Sequence, residues 1–131
     1  MFTIEEIKQA HAKVKSGADF PPYVQAISKF GVRSYETYVT DGHTDYYGEN
    51  GYKVTSPPKY EQLTIAEDSN TAQFKINLKD HQQGKTDYLT FCKISAKLGV
   101  EKWVVSIEAM TCSYIDKTGN EMLVEVIPRV G

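Results

Sequence analysis

Gly31-Val-Arg-Ser-Tyr-Glu-Thr-Tyr-Val39 and Gly99-Val-Glu-Lys-Trp-Val-Val-Ser-Ile107 say the same thing twice. In each, a glycine stands where a helix C-terminal cap belongs, and an aromatic-bearing run with strand alternation follows. The copies lie 68 residues apart (31 to 99), about half of the 131-residue chain. Tyr35, Thr37 and Val39 then fall over Trp103, Val105 and Ile107, so the apolar side of one strand is the apolar side of the other. A slip of one residue destroys that match, because side chains alternate faces with period two.

The same offset places Thr3 over Thr71, Asp19 over Asp87, Tyr23 over Phe91, Tyr46 over Tyr114 and Gly51 over Gly119. Each half therefore reads helix, helix, strand, strand, strand, with repeat halves at about 3–56 and 71–127. Thr3-Ile-Glu-Glu6 is a capping box opening a helix whose stripe is Ile4, Ile7, His11 and Val14, stopped at Gly17. Asp19 is the expected cap of a second helix, with Pro21 and Pro22 in its first turn and Gly31 at its end. Strands are expected at 32–39, 44–47 and 52–55, joined by turns at Asp41-Gly42 and Glu49-Asn-Gly51. A short edge strand is expected over Leu63–Ile65. Ser69 is the expected cap of a third helix with Phe74, Leu78 and His81 on one stripe, ending by Gly84, and Asp87 that of a fourth. Strands at 100–109, 111–115 and 121–127 complete the chain, with Met122, Val124 and Val126 as the inward face of the last. Neither half can bury its surfaces alone. The fold class is α+β: a single domain, four helices on a mostly antiparallel sheet.

Composition excludes several functions. A formal net charge of −2 offers no footprint for nucleic acid or an anionic membrane. Residues 36–68 carry seven acidic side chains against Lys53 and Lys59, so the aromatics there have the wrong charge around them for phosphate contacts. No apolar run approaches the roughly 20 residues of a membrane span, and Met1–Lys8 lacks the pattern of a secretory signal. With two cysteines, Cys92 and Cys112, read as free thiols, the expectation is a cytoplasmic protein, monomer or homodimer. No P-loop, dinucleotide fingerprint or CxxC pair is present, and no cofactor is expected.

The stretch where chemistry concentrates is Tyr35-Glu-Thr-Tyr-Val-Thr-Asp-Gly-His-Thr-Asp-Tyr-Tyr-Gly48. Six of the nine tyrosines fall between residues 35 and 60. Tyr35, Tyr38, His43, Asp45, Tyr46 and Tyr47 form the candidate binding set, since tyrosines serve at half-wet surfaces. Asp41-Gly-His43-Thr-Asp45 is the candidate catalytic or metal-ligating cluster. An imidazole beside a carboxylate suits a general base, and two carboxylates with an imidazole suit a borderline divalent ion. The Asp-Gly turn works against the extended backbone that would align all three. Cys112, over Thr44 in the repeat, and Cys92, in an apolar helical stripe, are the nucleophiles a covalent route has on offer. His11, His81 and Trp103 read as structural.

Met1-Phe-Thr-Ile-Glu-Glu-Ile-Lys8, Tyr35–Gly48, Lys53-Val-Thr-Ser-Pro57 and Gly99-Val-Glu-Lys-Trp-Val-Val105 together resemble a family of small bacterial proteins of unknown function often labelled "phage envelope protein". The resemblance spans essentially the whole chain. It implies no activity, cofactor or catalytic residue, because the family has none established. The expected function is a non-enzymatic interaction or small-ligand-binding module, of possible phage or prophage origin. The alternative is a small hydrolase, metal-dependent or using Asp41, His43 and Asp45.

Overall fold

A computed structural model describes residues 2–14 and 19–128. Helix α1 spans Ile4–His11 and opens with the complete capping box: Thr3 Oγ1 accepts the Glu6 N–H at 3.2 Å, and Glu6 accepts the Thr3 N–H at 3.0 Å. The stop expected at Gly17 lies outside the described residues. Helix α2 spans Phe20–Phe30 and ends on Gly31 at φ +107°. Asp19 occupies its N-cap position but makes no side-chain cap bond, because its backbone is already helical (φ −88°, ψ −8°).

Helix α3 (Thr71–Gln82) is capped by Asn70, whose Oδ1 accepts the Gln73 N–H at 3.1 Å. The cap is thus one residue beyond the expected Ser69. Helix α4 (Tyr88–Lys97) is capped by Asp87, which accepts the Thr90 N–H at 2.7 Å.

The strands are β1 (Ser34–Tyr38), β2 (Thr44–Tyr47), β3 (Lys53–Thr55), β4 (Val100–Ser106), β5 (Thr111–Asp116) and β6 (Glu121–Val126). They form one antiparallel sheet in the order β3-β2-β1-β4-β5-β6. Each half contributes three neighbouring strands, and the halves join where β1 pairs with β4. Registers coincide at the 68-residue offset: Tyr35↔Tyr46 and Thr37↔Thr44 in the first hairpin become Trp103↔Tyr114 and Val105↔Cys112 in the second.

The outer strand pairs differ by a bulge. Tyr114 pairs with Leu123 but Ile115 with Glu121, leaving Met122 as the extra residue. Beyond it, Leu123 and Glu125 share a sheet face with Tyr114 and Cys112. Val124 and Val126 sit opposite Ser113 and Thr111 on the other face and are 47% and 78% exposed. This corrects the inward face expected for Met122, Val124 and Val126: only Met122 is buried, because the bulge resets the alternation.

Leu63–Ile65 is not a strand. The Leu63 N–H donates to the Thr40 carbonyl and the Ala66 N–H to the Ala96 carbonyl, so the segment is tied to two places rather than to one ladder. Ile65 is buried, and the segment closes one side of the core.

Helices cover one face of the sheet. Phe91 of α4 lies 5.8 Å from Trp103, and Phe74 of α3 lies 5.0 Å from Tyr114, ring centre to ring centre. Phe74, Val24, Ile27, Val39, Val100 and Val105 are sealed from solvent in one core that both halves share. Truncating Phe74 to alanine should cost about 3–5 kcal/mol, the lost burial of the ring together with the cavity it leaves. Among the described residues, no helix is long and apolar enough to cross a membrane.

Candidate functional site: a cleft over the centre of the sheet

The strands split the tyrosine-rich segment by alternation. Tyr35, Thr37, Thr44 and Tyr46 face the helices, whereas Glu36, Tyr38, Asp45 and Tyr47 face the other way. The candidate binding set therefore does not form one surface.

On the face away from the helices, Glu36 pairs with Lys102 at 2.7 Å, and Lys102 lies over the Tyr38 ring at 5.5 Å. His43 stacks on Tyr38 at 4.5 Å with its ring nearly parallel. Asp45 accepts the Thr55 hydroxyl at 2.7 Å and has Lys53 at 3.8 Å. Burial, then the neighbouring Glu36, pushes the Tyr47 phenol up to about 12.

Asp41 and His43 meet at the turn between β1 and β2. Asp41 Oδ1 accepts the His43 backbone N–H at 3.0 Å and lies 2.5 Å from its ring Nδ1. Burial works to raise the Asp41 carboxyl, but the His43 N–H and ring hold it below the usual carboxylate value. Asp45 is engaged elsewhere, so the three members of the D-x-H-x-D run do not converge. Among the described residues, no three His, Cys, Asp or Glu side chains are arranged to hold a metal ion. Both cysteines are buried and free. Burial raises the Cys92 thiol and pushes Cys112 up to about 12, so neither presents a thiolate near neutral pH.

On the helix side, a cleft of about 920 Å³ opens between the two helical hairpins above the junction of β1 and β4. Residues 68 apart line it together, among them Tyr35 with Trp103, Thr44 with Cys112, Tyr46 with Tyr114, and Tyr23 with Phe91. The junction of the halves is thus also the floor of the cleft. Thr37 and Thr44 hydroxyls bond each other at 2.9 Å within it. Burial raises the phenols of Tyr23, Tyr35 and Tyr114, so all three stay protonated and can donate.

The walls hold side chains that the sequence offered as structural, as part of a charge count, or not at all. His81 stacks on Phe91 at 4.3 Å and meets the Thr86 carbonyl at 3.0 Å. Lys59, after β3, lies over the Tyr88 ring at 5.5 Å. Asp87 and Glu125 also line the cleft, and each already accepts a hydrogen bond, from the Thr90 N–H and from Gln82 Nε2 at 2.9 Å. One signal for this site was present in the sequence: the aromatic positions that recur at the repeat offset are the ones the cleft uses. Lys59 has no counterpart of its kind in the second half, where Ile127 takes the position.

A search of the curated proteins finds no match. A family model described as "Protein of unknown function (DUF1398)" matches residues 8–126, nearly the whole chain and every strand of the sheet, and the chain therefore belongs to that family.

Proposed function

We propose that this protein is a non-enzymatic small-ligand-binding module whose ligand occupies the cleft between the helical hairpins. The cleft's volume carries this reading. About 920 Å³ lies within the size range of small-molecule sites, which are concave, largely apolar and supplied with a few placed polar groups. The rings of Tyr35, Tyr46, Trp103 and Tyr114 supply the apolar surface, and their hydroxyls, the indole N–H and Thr44 supply the polar groups. Fragment screening by protein NMR tests it. Shifts should cluster at the Trp103 indole, Tyr46 and Tyr114. Shifts confined to Tyr38, His43 and Tyr47 would move the site to the opposite face and overturn the reading.

One contact favours a second reading. An imidazole held through Nδ1 by a carboxylate, as His43 is by Asp41, is the arrangement a general base needs. Ester hydrolysis above background that disappears in His43→Ala would support an enzyme of the hydrolase class. Phage or prophage origin rests on the label attached to the resembling family alone. An assembly role of that kind predicts self-association, and sedimentation as a monomer at high concentration counts against it. A cytoplasmic setting is proposed from the two free thiols.

A further inference from the structure

The charge lining the cleft is unbalanced at one end. His11, in the last turn of α1, and Lys59 both line it. His11 meets Tyr23 edge-on at 5.4 Å, while the Lys59 ammonium lies over the Tyr88 ring. Both reach solvent at the cleft mouth. Among the described residues, neither makes an ion pair with a carboxylate, and of the cleft's basic side chains Lys85 alone does, with Asp80 at 3.7 Å. The two acids of the cleft, Asp87 and Glu125, are already engaged with Thr90 and Gln82.

The surroundings of the two bases agree. Burial, then Lys59, lowers the pKa of His11. Burial lowers Lys59 as well, with a further lowering from Lys8, one helical turn before His11. Each group is thus disfavoured as a cation by its neighbours, with nothing but the Cys92 thiol acting the other way on Lys59. An ammonium at a cleft mouth without a counter-ion gains from a ligand that brings one.

We infer that the cleft takes an organic monoanion with a flat aromatic body, its carboxylate seated between Lys59 and His11 and its ring against Tyr88, Phe91 and Trp103. The inference rests on the ligand-binding reading above and adds the ligand's charge and its orientation. A carboxylate fits better than a phosphate. The donors are one ammonium and one imidazole, with no guanidinium fork and no loop of backbone N–H groups to take three or more oxygens. The rings beside Lys59 set the flat body: Tyr88 stands perpendicular to Trp103 at 6.4 Å, and Phe91 lies 5.8 Å from Trp103.

Three probes with one shape and different charge test it: 2-naphthoate, 2-naphthol and 2-naphthylmethylammonium, titrated at pH 7 by calorimetry and followed by NMR at the Trp103 indole. 2-Naphthoate should bind about ten-fold more tightly than either of the others, the value of one charge-assisted hydrogen bond. Lys59→Met should remove that advantage, bringing 2-naphthoate down to the affinity of 2-naphthol for the same variant, and an unchanged NMR spectrum of residues away from the cleft shows that the variant is folded. His11→Gln should remove a smaller part. Equal binding of all three probes, untouched by Lys59→Met, overturns the anion site while leaving the cleft as a ligand site. No shift of the Trp103 indole with any probe overturns the cleft reading and the inference with it.

Discussion

Glu36 and Val104 face each other across the two central strands. The repeat offset that carries residue 36 onto 104 also makes this the one pair at the centre of the β1–β4 ladder that maps onto itself. Around it, Tyr35 pairs with Val105 and Thr37 with Trp103, each the repeat partner of the other. The β1–β4 ladder therefore reads alike from either strand, and the cleft lies over its midpoint. Glu36 binds Lys102 on one face, and its neighbours Tyr35 and Thr37 line the cleft on the other. A site built at such a junction draws on both halves, so a difference between them, such as Lys59 against Ile127, sets its polarity.

Gly99 should tolerate no side chain. Its φ of +89° suits glycine, and an added Cβ would lie 2.7 Å from the Asp68 carbonyl oxygen and 2.8 Å from Ser69 Cα, both backbone atoms. Gly119 has a similar φ of +90° with open space around it. Gly119→Ala should cost about 1 kcal/mol, the conformational term alone, and Gly99→Ala at least about 2 kcal/mol more. Urea melts of the two variants check this; equal losses would show that the backbone at 68–69 yields.

The third helix separates two adjacent cap candidates. Asn70→Ala should lose about 1 kcal/mol because the Gln73 N–H loses its acceptor. Ser69→Ala should change stability by less than about 0.5 kcal/mol. Matched thermal unfolding of both variants tests the assignment.

The thiols should be silent in the native state. With Cys112 held up to about 12 and both cysteines buried, a chromogenic disulfide reagent at pH 8 should react at a rate limited by unfolding. Adding denaturant should release both thiols together. A fast-reacting thiol in the native protein would revive the covalent route.

Stability should fall on acidification in two steps. Burial lowers His11 and His81, so below about pH 6.5 the unfolded chain takes up those protons first and stability drops as pH falls. Asp41, Asp87 and Asp116 are also depressed. For Asp87 the main cause is the Thr90 N–H, and for Asp116 the Asn120 N–H. Their contribution is complete above about pH 4 and is lost as pH falls through the lower folded values. Asp116→Asn keeps an acceptor oxygen without the charge and should flatten the acid step. His81→Gln should flatten the step that opens below about pH 6.5. Denaturation measured at pH 8, 5 and 3 reads both, and a stability flat from pH 8 to 5 would contradict the histidine step.

Local chemistry made most of the elements readable from the chain. The capping box at Thr3–Glu6, the turn glycines and the period-two runs each express a preference of a few neighbouring residues, and those preferences survive in the fold. Strand parity went further: the equal alternation at 35–39 and 103–107 turns Tyr35 and Trp103 to the same, helix-covered face. Three features lay beyond that reach. The bulge at Met122 flipped the outward residues of β6, because register depends on the partner strand and not on the strand alone. The tyrosines of residues 35–47 parted to opposite faces, and the Asp41–His43–Asp45 run did not converge, because a turn and an alternating strand divide a short sequence between two surfaces. Lys59 came to lie over Tyr88, 29 residues away (59 to 88), through a connection with no periodic pattern to announce it. Covalent neighbours settle caps, turns and inward faces. Which distant side chains share a cavity, and which charge is left there without a partner, depends on how the two halves meet.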